Sequence, residues 1–184
     1  MRPKQFVTMA LLFAGAWVAP AGAAGWNPSG ESQKLEAAEA AIAEFKATDS
    51  GLAEYFKKAY AWAVFPTIGK GGFIFSGAYG DGVVYEKGRP IGTTSVTQAS
   101  IGLTIGGQTS SELLFFRDKA ALDNFRSGNY EFSAQASAVI AREGAAAKTS
   151  YDNTGVAVFV HVKGGAMLEA SIGGQKFTYH PGLT

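Results

Sequence analysis

The 184-residue chain contains no cysteine and only two histidines. The missing cysteines exclude disulfides, thiolate chemistry, zinc–thiolate sites and a lipid-modified N-terminal cysteine. Charge is scarce as well: charged residues make up 17% of the chain and the formal net charge is +1. Such a chain has no long-range field with which to gather nucleic acid or an anionic membrane. No charge block, low-complexity stretch or linker divides it, and its glycines follow no fixed period. What it does have is 24 glycines, 13 phenylalanines and 7 tyrosines.

The first residues read as a secretory signal peptide. Arg2 and Lys4 form a basic start, residues 6–18 an uncharged apolar stretch, and Ala21-Gly22-Ala23 a small-x-small cleavage site. The apolar stretch falls short of the ~20 residues that span a bilayer, and Pro20 interrupts its end. Removal of residues 1–23 leaves one domain, 24–184, with a formal charge of −1 once Arg2 and Lys4 are gone. The expected location is the periplasm or the exterior.

The mature chain opens with helical patterning. Ser32 is placed to cap a helix running to Ala47, whose apolar face is Leu35, Ala38, Ile42 and Phe45. Asp49 or Ser50 is placed to cap a second helix with Leu52, Tyr55, Phe56 and Ala59 on its apolar face. Residues 31–60 hold six acids and four bases, a net −2. From Ala61 the pattern turns to β. Ala61–Phe65 reads as a strand stopped by Pro66. Residues 71–79 and 82–85 read as a hairpin turning at Gly80-Asp81, with another turn at Lys87–Pro90. Strands are then expected at 93–98, 101–108 and 112–117. Asp118 caps a short helix at 119–126, ended by Ser127-Gly128-Asn129. A long strand is expected over 130–141, followed by a meander of 156–162, 166–172 and 176–179 with glycine turns at 164–165 and 173–174. The expected fold is α+β, mainly β: an antiparallel barrel or sandwich with N-terminal helices packed against it and one short internal helix.

The residues offer little for catalysis or metal binding. His161 lies in an apolar strand pattern and His180 near the C-terminal end, with no metal spacing between them. Asp118 and Asp123 flank one helix, where capping and solvation account for them. Glycine-rich residues 69–82 lack the order of a phosphate loop and lie between strands. Backbone N–H groups of Gly71 and Gly72 beside Lys70 are suited to an anion such as a lipid phosphate; the alternative is that these glycines only permit tight turns. Trp62, Phe65, Phe73, Phe75, Tyr79 and Tyr85 crowd the first strands; core is the default place for such a cluster, and a lining for an acyl chain is the alternative.

Residues 61–84 resemble the opening motif of the SYLF domain family. Phe65-Pro66, Lys70, Gly72-Phe73, Gly77, Tyr79-Gly80 and Gly82 carry the likeness. Ser100–Leu103, Ile105–Gln108, Glu112–Phe125, Tyr151 and Gly155-Val156 extend it, in order, over roughly residues 35–180. The resemblance implies a non-catalytic lipid-binding domain, without cofactor or metal, whose partner is a phospholipid or a membrane surface. The expected lipid-binding residues are Lys70, Gly71, Gly72, Phe73 and Trp62, with Lys57 and Lys58 as further cations for a head group. Two features depart from the family. Eukaryotic members carry a basic N-terminal helix where this chain is acidic, and the family's Gly-Pro-x-Gly-Arg segment is replaced at Ala141–Gly144. The alternative reading is a structural or protein-interaction module of the envelope without a lipid ligand.

Overall fold

The structure is a computed structural model that describes residues 28–128, 131–133 and 138–183. The proposed signal peptide therefore lies outside the described residues. The fold is α+β and mainly β. Two helices, α1 (Pro28–Thr48) and α2 (Leu52–Lys58), precede a long β region. That region comprises β1 (Ala61–Gly72), β2 (Phe75–Glu86), β3 (Arg89–Phe116), helix α3 (Lys119–Arg126), short strands β4 (Glu131–Ser133) and β5 (Val139–Ile140), and β6 (Val156–Pro181). They form one six-stranded sheet in the order β1-β2-β3-β6-β4, with β5 parallel to β6 and every other pair antiparallel.

The length of β3 shapes the sheet. Its first part pairs with β2, from Arg89 opposite Glu86 to Ile101 opposite Phe75. Its last part pairs with β1, from Gly107 opposite Gly71 to Phe116 opposite Ala61. β6 runs antiparallel to it throughout, from Gly92–Pro181 to Phe116–Val156. One strand can border both β1 and β2 in this way only if the sheet curls. The curl is open, so the closed-barrel alternative is not found; a curled, sandwich-like sheet is.

Several expected breaks are continuous strand instead. The expected strands at 93–98, 101–108 and 112–117 are all parts of β3, and the C-terminal meander is the single strand β6. The glycines in them serve as bends. Gly165 has φ +94°, and a Cβ on it would stand 2.2 Å from the Gly107 carbonyl oxygen. Pro66 does not stop β1. The register slips there against both neighbours, so Pro66 sits in a bulge, where its missing N–H removes no ladder bond. β2 likewise runs through Gly80-Asp81. Cβ atoms at Gly80 and Gly82 would lie 2.6 Å from the carbonyl oxygens of Thr67 and Val64, so glycine is needed opposite the bulge, not for a turn. The turn is at Phe73-Ile74. By contrast, Lys87 (φ 49°) and Gly88 (φ 81°) form the two-residue β2–β3 turn in the left-handed region. Only β4 and β5 represent the strand expected at 130–141; residues 129–130 and 134–137 lie outside the described residues.

Alternation along the curled strands makes two cores. The inner face carries Phe65, Leu114, Phe116, Val158 and Phe177, and α3 closes one end with Leu122 and Phe125. Asp118 caps α3, its Oδ1 accepting from the Ala121 N–H at 2.9 Å. The outer face carries Trp62, Val64, Leu113, Phe115 and Phe159 beneath α1 and α2. Helix α1 already spans Ser32, which is therefore interior and not a cap. It presents Ala38, Ala41 and Phe45 to the sheet, and the small alanines allow close approach. At its end Asp49 is fully buried. Its carboxylate accepts N–H groups from Gly51 (3.0 Å), Gly144 (3.3 Å) and Ala146 (2.7 Å). It thus ties the α1–α2 corner to the connection between β5 and β6; the cap residue of α2 is Gly51.

The complete burial of Phe45 makes α1 a packed cover of the sheet. Phe45→Ala is expected to cost ~3–5 kcal/mol in urea unfolding. A loss below about 1 kcal/mol would mean that α1 is not docked through this face.

Candidate functional site

The β1–β2 hairpin ends in an exposed apolar tip. Gly72 enters the turn at φ +154°, where a Cβ would meet the Phe75 carbonyl oxygen at 2.3 Å. The sharp turn that follows projects three apolar side chains outward: Phe73 is 61% exposed, Ile74 55% and Phe75 74%. Tyr79 is also exposed, its hydroxyl donating to Asp81 Oδ1 at 2.9 Å. The default core placement of Phe73 and Phe75 is therefore corrected, because both lie at a turn that no element among the described residues covers. Adjacent exposed large apolar groups of this kind mark interaction sites.

The expected lipid-binding residues divide between two places. Lys70, Gly71, Gly72 and Phe73 are contiguous at the tip. Trp62 lies eight residues back along β1, about 26 Å away at ~3.3 Å per residue. There it is buried, stacked on Tyr85 with ring centroids 5.7 Å apart and met edge-on by Phe56 at 5.2 Å. It is a core residue beneath α2. Lys57 and Lys58 lie on α2 near that buried end, and Lys58 pairs with Glu54 at 3.0 Å. No common site with Lys70 is formed.

Behind the tip, the inner face of the sheet changes character. Gln175, Gln98, Ala78, Lys70 and Gln108 are successive cross-strand partners, so they form one row across the curl. Together with Ile68, Ser110, Glu112 and Val160 they enclose a cavity of about 200 Å³. Most of the polar lining is half-buried, but Glu112 at the floor is only 3% exposed. Gln175 Nε2 donates to Glu112 Oε2 at 3.0 Å. Glu112 Oε1 and Gln175 Oε1 are buried without a hydrogen-bond partner. Burial raises the Glu112 pKa from 4.5 to about 7, with the Gln175 hydrogen bond acting in the opposite direction. Nothing in the sequence reading singled out Glu112. The available signal was its charge next to Leu113-Leu114-Phe115-Phe116, where alternation places 112, 114 and 116 on one face.

Of the two readings of the aromatic cluster, the described residues support the core and give no acyl lining. Phe65, Phe116, Phe125 and Phe177 fill the α3 end, and the cavity that the described residues line beside them is polar and below the ~300 Å³ at which ligand pockets typically begin. A larger groove of about 480 Å³ lies outside, between the start of α1 (Gln33, Lys34, Ala37) and the Pro66 bulge, and reaches Tyr79. His161 is half-buried beside α1, its Nδ1 3.4 Å from Glu44 Oε1 and its ring edge-on to Phe45. His180 is exposed. Among the described residues no group of three or more His, Cys, Asp or Glu is placed to hold a metal. No helix among them is long and apolar enough to cross a membrane.

Fold and site together define a curled, mainly antiparallel sheet with helices on its outer face, an apolar hairpin tip and a small polar interior. No family model matches the chain. Among curated proteins it is similar to Beta cell expansion factor A of Aeromonas veronii, 29% identical over 130 residues. The match covers 70% of this chain and 49% of that protein, so the chain spans about half the length of the curated relative it matches.

The buried carboxylate sets a pH dependence. Between pH 4.5 and about 7 the folded protein holds a proton on Glu112 that the unfolded chain has released. Stability from this group is therefore full below pH 4.5 and is lost as pH rises through about 7. A gap of this size is worth about 3 kcal/mol. In urea unfolding across that range, the wild type is expected to lose ~2–3 kcal/mol relative to Glu112→Gln. Parallel pH profiles would show that Glu112 does not titrate in this way.

Proposed function

We propose that the protein is a non-catalytic lipid-binding domain of the bacterial envelope, SYLF-like, exported through its N-terminal segment, and that it meets phospholipid surfaces through the β1–β2 tip. The observation that carries this reading is the exposure of Phe73, Ile74 and Phe75 together on a sharp, glycine-entered turn. Water gains nothing from such a tip, whereas an acyl layer returns ~1–2 kcal/mol for each side chain it buries. Lys70, next to the tip on β1, adds an attraction for anionic head groups worth ~1 kcal/mol near the surface. The sum supports reversible attachment and falls well short of insertion across the bilayer. Helix α1 takes no part, because its apolar face is occupied by the sheet.

Vesicle sedimentation tests this reading. Protein lacking residues 1–23 is expected to sediment with phosphatidylcholine–phosphatidylglycerol vesicles. A triple variant, Phe73→Ser, Ile74→Ser and Phe75→Ser, should bind at least ~10-fold more weakly with an unchanged thermal midpoint. Equal sedimentation by variant and wild type would remove the tip from the site. Absence of binding to any vesicle, together with a co-purifying protein partner lost in the variant, would favour the interaction-module reading.

A further inference from the structure

The polar interior contains an arrangement that the fold alone does not explain. Glu112 Oε1 and Gln175 Oε1 are two buried acceptors without a donor, on side chains already joined by the 3.0 Å hydrogen bond between Gln175 Nε2 and Glu112 Oε2. That bond also fixes the amide orientation, since the carboxylate needs the N–H side and the amide oxygen is left pointing elsewhere. Both groups line the same cavity of about 200 Å³, whose other polar lining residues, Lys70, Gln98, Gln108 and Ser110, are half-buried around its mouth. A buried carboxylate requires a positive charge or a proton, and unsatisfied acceptors require donors. Glu112 has no ion pair among the described residues.

We propose that this cavity binds a small primary ammonium compound, whose ammonium group donates to Glu112 Oε1 and Gln175 Oε1. A primary ammonium is a compact cation with three donors, so it supplies both the charge and the hydrogen bonds that these oxygens lack. The alternatives fit less well. Hard divalent cations take six to eight oxygens, usually with several carboxylates, and here there is one. Water would satisfy the acceptors but leave the charge uncompensated. The volume exceeds the ~150 Å³ that holds a benzene, so it accepts an aminoalkyl compound the size of ethanolamine and excludes a whole lipid. The same chemistry occurs in a free amine and in the head group of phosphatidylethanolamine. The inference does not rest on the membrane reading, because a free amine would fill the site without any lipid contact.

Calorimetric titration with ethanolamine hydrochloride at about pH 8, where Glu112 is ionised, tests the proposal. Saturable binding to the wild type is expected, at least ~10-fold weaker in Glu112→Gln and for tetramethylammonium chloride, which has no N–H donor. Binding should also weaken as pH falls below about 7 and Glu112 takes up its proton. Ala78→Met, which fills the cavity and leaves Glu112 in place, should abolish binding, and it decides the matter if Glu112→Gln fails to fold. Displacement of ethanolamine by phosphatidylethanolamine vesicles, and not by phosphatidylcholine vesicles, would assign the site to the head group; no displacement by either would assign it to a free amine. The proposal is overturned if the wild type shows no saturable binding up to ~50 mM, or if ethanolamine binds Ala78→Met or Glu112→Gln as well as the wild type. The vesicle arm reads displacement only, so loss of sedimentation by the tip variant leaves this result unaffected.

Discussion

Everything in this fold depends on the ladder between β3 and β6. β3 has 28 residues and β6 has 26, and they pair antiparallel over almost their whole length. Because β3 borders β2 with one part and β1 with the other, the ladder must bend, and the bend encloses space. The bulge at Pro66 with Gly80 and Gly82 opposite it is one device that permits this. A second register slip, between Thr109 and Ser110 on β3 across from Lys163 on β6, is another. Once the sheet is curled, the two-residue period of each strand assigns every side chain to an inside or an outside. Helices then follow from what remains uncovered: α3 stops the inner core at one end, and α1 and α2 cover the outer face.

The two parts of the candidate site are consequences of this geometry. Among the described residues the hairpin tip is exposed because it lies beyond both helical covers, at the end of the curl away from α3. The cavity is polar because the inner row at Gln175, Gln98, Lys70 and Gln108 lies above the aromatic plug. Asp49 does for the connection between β5 and β6 what the ladder does for the sheet. Its three N–H acceptor contacts hold a segment that has little regular structure of its own.

Local signals survived the passage from sequence to structure, and non-local ones did not. The Asp118 cap, the Lys87-Gly88 turn and the buried positions Ala38 and Phe45 of α1 are decided by neighbours in the chain, and each was readable. Gly80-Asp81 looked like a turn because glycine has two uses that sequence does not separate, left-handed backbone and close approach. Here the second applies, and the approaching backbone is that of β1, some fifteen residues earlier. Phe73 and Phe75 looked like core because aromatic residues usually are. Their exposure follows from where the hairpin turns, and that follows from the misread glycines. Trp62 was assigned to the lipid site as one of the aromatics crowding the first strands, but an extended strand carries it and Lys70 apart. Glu112 could have been found by applying strict alternation to an otherwise apolar stretch.

The interior is not short of apolar material. Leu114 and Phe116 continue the inner row on which Glu112 lies, and Phe65, Phe125 and Phe177 pack the region below it. A leucine at 112 would extend that core and leave no charge to desolvate. Glu112 instead lowers stability at and above neutral pH, and Gln175 beside it relieves only one of its two oxygens. Such a pair is unfavourable in an empty interior, and a bound cation that also supplies hydrogen bonds would offset part of the desolvation cost of the carboxylate. α3 closes one end, and on the opposite side the cavity is lined by Lys70 and Ala78, which pair with each other one step from the Gly71–Gly77 pair that leads into the tip. The apolar tip and the polar cavity therefore lie on the same side of the aromatic plug, joined through the Lys70–Ala78 and Gly71–Gly77 pairs of one hairpin.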